Sequence, residues 1–193
     1  QARLVGSEMC IRDSLRTNHR ITREANARMA QILGNFKSFI NLDGAGREEV
    51  DLHEGLETVV GLLSPALAGR ITVERDFADL GPVHCTPDEV NQVFMSLLEI
   101  AAEAIEDKGT ITIMTREVDG AYHVAVTDTG CGMDRETMDN LFAPAFSTKG
   151  PRVKAGMGLM VSLNIVRNHG GTIEVESEPG RGSTFTVVIP CVA

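Results

Sequence analysis

Ala121-Tyr-His-Val-Ala-Val-Thr-Asp-Thr-Gly-Cys-Gly-Met133 alternates apolar and polar side chains as far as Thr127, then sets an aspartate just ahead of two closely spaced glycines. Period-two alternation marks a strand with one buried face. Gly130 and Gly132 let the backbone turn sharply and approach a neighbouring group closely. Upstream, Thr110-Ile-Thr-Ile-Met-Thr-Arg-Glu117 alternates in the same way, and Asp119-Gly120 between the two runs has the composition of a two-residue hairpin turn. The core of the fold is therefore an antiparallel strand pair that ends on a carboxylate over a glycine turn.

Working outward, Asp51-Leu-His-Glu54 has the form of a capping box, in which Glu54 reaches back to the cap. The helix it opens carries Leu52, Leu56, Val59, Val60 and Leu63 on one face and should stop near Ala68-Gly69. Ile71-Thr-Val-Glu-Arg-Asp-Phe77 alternates as a strand does. Thr86-Pro-Asp-Glu89 is a second capping box, with Pro87 at the first helical position, and predicts a helix to about Ile105. A short helix after Asp134, an irregular stretch over 143–155 and a helix over about 157–169, stopped by Gly170, come next. Strands over 172–177 and 183–189 close the chain around Pro179-Gly-Arg-Gly182. The order predicts an α/β fold, a two-layer sandwich of a mixed β-sheet covered on one face by three helices.

Ahead of this unit, Leu15, Asn18, Thr22, Ala25, Met29, Ile32, Phe36 and Phe39 alternate steps of three and four, predicting a long N-terminal helix with a narrow seam. That seam is buried either in a bundle with a partner helix or against its own domain. Asp43-Gly-Ala-Gly46 makes a hinge. The first 13 residues read as a non-native or disordered leader, and a chain that opens on Gln1 reads as part of a longer protein.

Composition narrows the function. A formal charge of −9, from 27 acidic against 18 basic residues and with no basic stripe, argues against nucleic acid as a ligand. Apolar runs are broken well short of the roughly 18 residues that a helical membrane crossing needs, so no membrane contact is expected in this segment. Cys10, Cys85, Cys131 and Cys191 are far apart and form no CxxC pair. Scattered cysteines fit a cytoplasmic protein, or the cytosolic part of a membrane-anchored one.

Three segments carry chemistry. A buried Asp128 would accept a hydrogen bond from an exocyclic amine such as adenine N6, although a strand-to-loop turn alone often has this composition. Gly156-Met-Gly-Leu159 stands at a helix start, where backbone N–H groups and the helix dipole favour an anion. Between them lies a loop long enough to act as a lid, in which Lys149 and Arg152 either meet phosphate oxygens or remain solvated.

From about Leu52 to Pro190 the chain resembles the catalytic, ATP-binding domain of bacterial sensor histidine kinases, within the GHKL ATPase superfamily. Four boxes occur in the family's order: a helix over 91–105, Asp128 to Gly132, Phe142-Ala-Pro-Ala-Phe-Ser-Thr-Lys149, and Gly156 to Leu159. The closing run from His169 to Phe185 is similar as well. The resemblance implies ATP as the cofactor. Asp128 would bind adenine N6, with Thr184 supporting it from the last strand. Gly130, Gly132 and Met133 would shape the adenine pocket, and Phe142 would start the lid that carries Thr148 and Lys149. Gly156, Met157, Gly158 and Leu159 would offer N–H groups to the phosphates. It further implies a homodimer through the N-terminal helix, a response-regulator receiver domain as partner, and a division into a partial dimerisation helix and hinge over 14–46 and an ATP-binding domain over 47–193.

The resemblance departs at one helix. The family's pattern places one asparagine at a position that here is Ser96 and a second, which supplies an oxygen to Mg²⁺, at a position that here is Ile100. Isoleucine offers no lone pair to a cation that demands oxygen ligands. Of the two carboxylates left on the helix, Glu99 points about 100° away from position 100. Glu103, one turn later, is then the candidate catalytic group. Ala145 also stands where the family's lid has a second Phe, and His19 lacks the family's acceptor surroundings. Two readings follow: a kinase domain that transfers the ATP γ-phosphoryl group to a histidine on a separate helix, or a metal-defective module that binds nucleotide and regulates a partner through its helical stem. An ATPase outside two-component signalling is a third.

Overall fold

The computed structural model describes residues 46–142 and 157–191, all of them in one compact unit, Gly44–Ala193. The leader, the N-terminal helix, the lid residues Thr148 and Lys149, and Gly156 lie outside the described residues. So does the side chain of Met157.

Strands β1 (Glu48–Val50), β2 (Ile71–Phe77), β3 (Val83–Cys85), β4 (Gly109–Val118), β5 (Ala121–Asp128), β6 (Thr172–Glu178) and β7 (Gly182–Pro190) alternate with helices α1 (Leu52–Leu67), α2 (Pro87–Ala104), α3 (Arg135–Asp139) and α4 (Met157–Asn168). Five strands form one sheet in the order β2-β4-β5-β7-β6, in which β2 runs parallel to β4 and the other pairs are antiparallel. Helix α1 lies against β2, α2 crosses β4, β5 and β7, and α4 rests on β6 and β7. The expected mixed sheet under three helices is the observed fold.

The sheet face that meets the helices is the one the alternation marked. Ile111, Ile113, Val124, Val126, Phe185 and Val187 are fully buried there, beneath Phe94, Leu97 and Leu98 of α2. Burial of each such side chain contributes roughly 1.5–3 kcal/mol, so α2 is anchored along its length. The hairpin turns at Asp119 and Gly120, both at positive φ, as a two-residue primed turn requires. Helix α4 ends in a Schellman motif, with Gly170 at φ 74° and Gly171 N–H bonded to Val166 O at 2.9 Å.

Two local features differ from the sequence reading. Asp51 caps α1 through His53 N–H at 2.8 Å, but the Thr86 side chain makes no capping bond. Instead Thr86 is buried and its backbone N–H donates to His169 Nε2 at 3.1 Å, while His169 Nδ1–H donates to Ile165 O at 2.8 Å. A tertiary bond across the two helices has taken the place of a local one. The sequence also hid a second sheet, in which β1 pairs antiparallel with β3. Three-residue strands are too short to show a period.

Candidate functional site

Asp128 ends β5 on the inner face of the sheet and is 1% exposed. Gly130 N–H donates to its Oδ1 at 2.7 Å, an Asx-type turn that fixes the carboxylate. Its Oδ2 is buried with no hydrogen bond of normal geometry among the described residues. Burial pushes the Asp128 carboxyl above the usual carboxylate range, and the Gly130 N–H and the Ser183 N–H and hydroxyl pull it back. A buried acceptor left without a donor costs about 1–3 kcal/mol, so such a group normally takes a donor from the protein, from water or from a ligand.

The two glycines are sterically required. Gly132 sits at φ 64°, where a Cβ would collide with the Glu178 carbonyl oxygen, and Gly182 at φ 92°, where a Cβ would collide with the Asp128 carbonyl oxygen. The β5 turn and the β6–β7 hairpin are thus pressed backbone to backbone. Gly180 N–H donates to Cys131 O at 2.7 Å, and Met133 N–H to Ser177 Oγ at 2.8 Å. Met133 is buried in the core and its N–H is occupied.

Thr184 is not where the sequence reading placed it. Its hydroxyl lies 3.0 Å from that of Thr127, its register partner, and both belong to the sheet face away from Asp128. Ser183 is the residue beside the carboxylate. The signal was present, since Phe185, Val187 and Ile189 alternate inward, and the same period places Ser183 inward and Thr184 outward.

On the helix side, Gly158 opens α4 next to α2: a Cβ there would stand 3.5 Å from Ser96 Oγ. The structure thus brings the helix-start glycine to the face of α2 that holds Ser96, Glu99, Ile100 and Glu103, which share one side at helical spacing. Leu159 is wholly buried, so only its backbone can serve a ligand. Ile100 is half-buried and packs against the core. Glu103 is exposed. Glu99 is half-buried, and its carboxyl is pushed up by desolvation and then by the charge of Glu103. Phe142, partly buried against the core, ends the described segment before the lid. Among the described residues there is no cluster of three or more His, Cys, Asp or Glu able to hold a metal, and no helix is long and apolar enough to cross a membrane.

A mixed sheet under three helices, with a buried carboxylate at a glycine turn, one oxygen of which lacks a hydrogen bond of normal geometry among the described residues, and a glycine helix start facing the central helix, defines the class as an ATPase-type α/β sandwich. The family model described as histidine kinase-, DNA gyrase B-, and HSP90-like ATPase matches residues 85–193, and the chain belongs to that family. Sensor histidine kinase ZraS of Klebsiella oxytoca is 36% identical over 174 residues, 88% of this chain and 37% of that protein, so the chain spans little more than a third of this relative. The catalytic domain of histidine kinase ThkA is similar with a TM-score of 0.68 and 26% identity, over 76% of this chain and 99% of that one. ThkA in complex with the response regulator protein TrrA matches in fold with a TM-score of 0.68 and 22% identity, over 86% of this chain and 49% of that one.

Proposed function

We propose that this chain is the ATP-binding, catalytic part of a two-component sensor kinase, with the adenine amine donating to Asp128 Oδ2. The observation that carries the reading is that this buried oxygen has no hydrogen bond of normal geometry among the described residues. Gly130 and Gly132 let the turn pack closely on α2 and on the β6–β7 hairpin beside the base. Backbone N–H groups of Gly156, Met157, Gly158 and Leu159 would face the phosphates at the α4 start, with Phe142, Thr148 and Lys149 in the lid. Thr184 supports the site only through the strand it shares with Ser183.

The reaction is transfer of the γ-phosphoryl group to a histidine on a separate helix. An imidazole nitrogen forms the N–P bond while the bond to the β–γ bridging oxygen breaks and ADP leaves. Such transfer is mostly positioning, and holding the base at one end and the phosphates at the other is this chain's share. Magnesium ion is typical of the family, but position 100 does not fit it: Ile100 offers no lone pair and packs, half-buried, against the core. Glu103 is the candidate for direct action on this helix; it is exposed, while Glu99 is half-buried.

We extend the reading to the rest of the chain: residues 14–46 as part of a dimerisation hairpin, 47–193 as the ATP-binding domain, and a homodimer that hands its phosphoryl group to a receiver domain on the cytoplasmic side. The support is the ZraS match across 88% of the chain and the ThkA–TrrA complex. A second reading, favoured by Ile100, is a nucleotide-binding module that regulates a partner without turnover. Calorimetric titration with ATP tests both, followed by incubation with labelled ATP and a separately supplied histidine-bearing hairpin. Binding with acid-labile label on the hairpin supports the kinase, and binding without label supports the module. Absence of ATP binding would sink both.

A further inference from the structure

Helix α2 has no basic residue in its last turn, although the final carbonyls of a helix lack intrahelical donors and carry partial negative charge. The cation comes from elsewhere in the chain. Arg70, at the start of the loop-to-β2 junction, donates from Nη1 to Ile105 O at 2.6 Å and Glu106 O at 3.3 Å, and from Nη2 to Ala102 O at 3.1 Å. Its backbone is held too, with its N–H on Leu67 O at 3.1 Å and its O accepting from Gly109 N–H at 3.2 Å. A planar guanidinium fork across several carbonyls fixes both the position and the rotation of the helix end, which a single ammonium group does not.

That helix end carries the turn that follows Asp128. Ala104 O, between the clasped carbonyls, accepts Cys131 N–H at 3.0 Å. Gly130 is pressed so close that a Cβ there would stand 2.5 Å from Ala104 O. Gly130 N–H in turn holds Asp128 Oδ1 at 2.7 Å. A slide or rotation of the α2 terminus therefore moves the turn, and the turn aims the carboxylate.

We propose that Arg70 is a positioning residue for adenine recognition, acting through its clasp on the C-terminus of α2. The inference rests on Asp128 being the adenine acceptor. It is tested in the full chain with Arg70→Ala and Arg70→Lys, by calorimetric titration with ATP and with inosine triphosphate, whose C6 carbonyl replaces the amine. The ratio of the two affinities is independent of how much of the sample is folded, so a merely structural role would lower the melting temperature and leave the ratio alone.

The parent chain should prefer ATP, and Arg70→Ala should reduce that preference by about tenfold, the order of one hydrogen bond to a charged group. Arg70→Lys, which keeps the charge but not the fork, should fall between. An unchanged ratio in Arg70→Ala, or in Arg70→Lys where the alanine variant does not fold, overturns the positioning role and leaves the ATP reading standing. A parent chain that does not distinguish the two nucleotides overturns the acceptor role of Asp128 itself.

Discussion

Asp128→Asn separates binding from stability at one atom. The carboxylate is 1% exposed, and its Oδ1 is taken by Gly130 N–H at 2.7 Å. An amide in the same rotamer keeps its oxygen on that N–H, which places its NH₂ where Oδ2 was. A donor then faces the adenine amine. Loss of a hydrogen bond to a charged group costs about 1.5–3 kcal/mol, about ten- to hundredfold in Kd for ATP. Inosine triphosphate, with an acceptor at C6, should bind the variant as well as or better than the parent. Stability should move the other way. Burial raises the Asp128 carboxyl above its ordinary value, so the folded state holds the proton more tightly than the unfolded chain. Stability is then full below the unfolded value of about 3.9 and falls as pH rises from there through the raised folded value. At pH 7 the amide removes that cost, so the variant should melt at or above the parent, with the advantage shrinking toward pH 4. Calorimetry with both nucleotides and melts at both pH values check this. ATP binding within about twofold of the parent, with an unaltered preference over inosine triphosphate, would refute the reasoning.

Three further outcomes are expected. His169→Ala strands the buried Thr86 N–H and empties the space of a buried ring, while Ile165 O keeps the backbone N–H of residue 169 at 3.2 Å, so urea unfolding should show a loss of about 2–5 kcal/mol; a loss under about 1 kcal/mol would mean that water replaces the ring. Gly132→Ala combines positive φ with a collision at Glu178 O, and should both destabilise the chain by about 1–3 kcal/mol or more and weaken ATP binding; an unchanged melting temperature would contradict the close packing of the two turns. Ser96→Asn with Ile100→Asn should make ATP affinity rise about tenfold with magnesium where the parent shows little dependence, read by titration with and without a chelator; no gain would mean these positions do not face the metal.

Much of this was legible in the chain. The period-two runs over β4 and β5 needed no tertiary information, because a strand with one dry face must alternate. Asp119-Gly120 named its own turn, since few residue pairs accept positive φ twice in succession. Other features were not legible. Thr86-Pro-Asp-Glu89 reads as a capping box, yet a buried imidazole 83 residues away takes the Thr86 N–H. Arg70 looks like an ordinary strand-flanking charge until α2 is docked against it. Thr184 was misplaced by one residue, and a one-residue shift in a strand reverses the face.

The sequence by itself determined the fold class, the glycine turn after β5 and the helix-start Gly158, because steric limits on backbone and the periodicity of burial are local properties. It also marked Ile100 as a departure from its family. Only the tertiary structure decided which oxygen of Asp128 stays without a normal hydrogen bond, that Ser183 rather than Thr184 attends it, and that Glu99 is half-buried while Glu103 is exposed. Those depend on desolvation and on contacts between segments far apart in the chain, which no local pattern records.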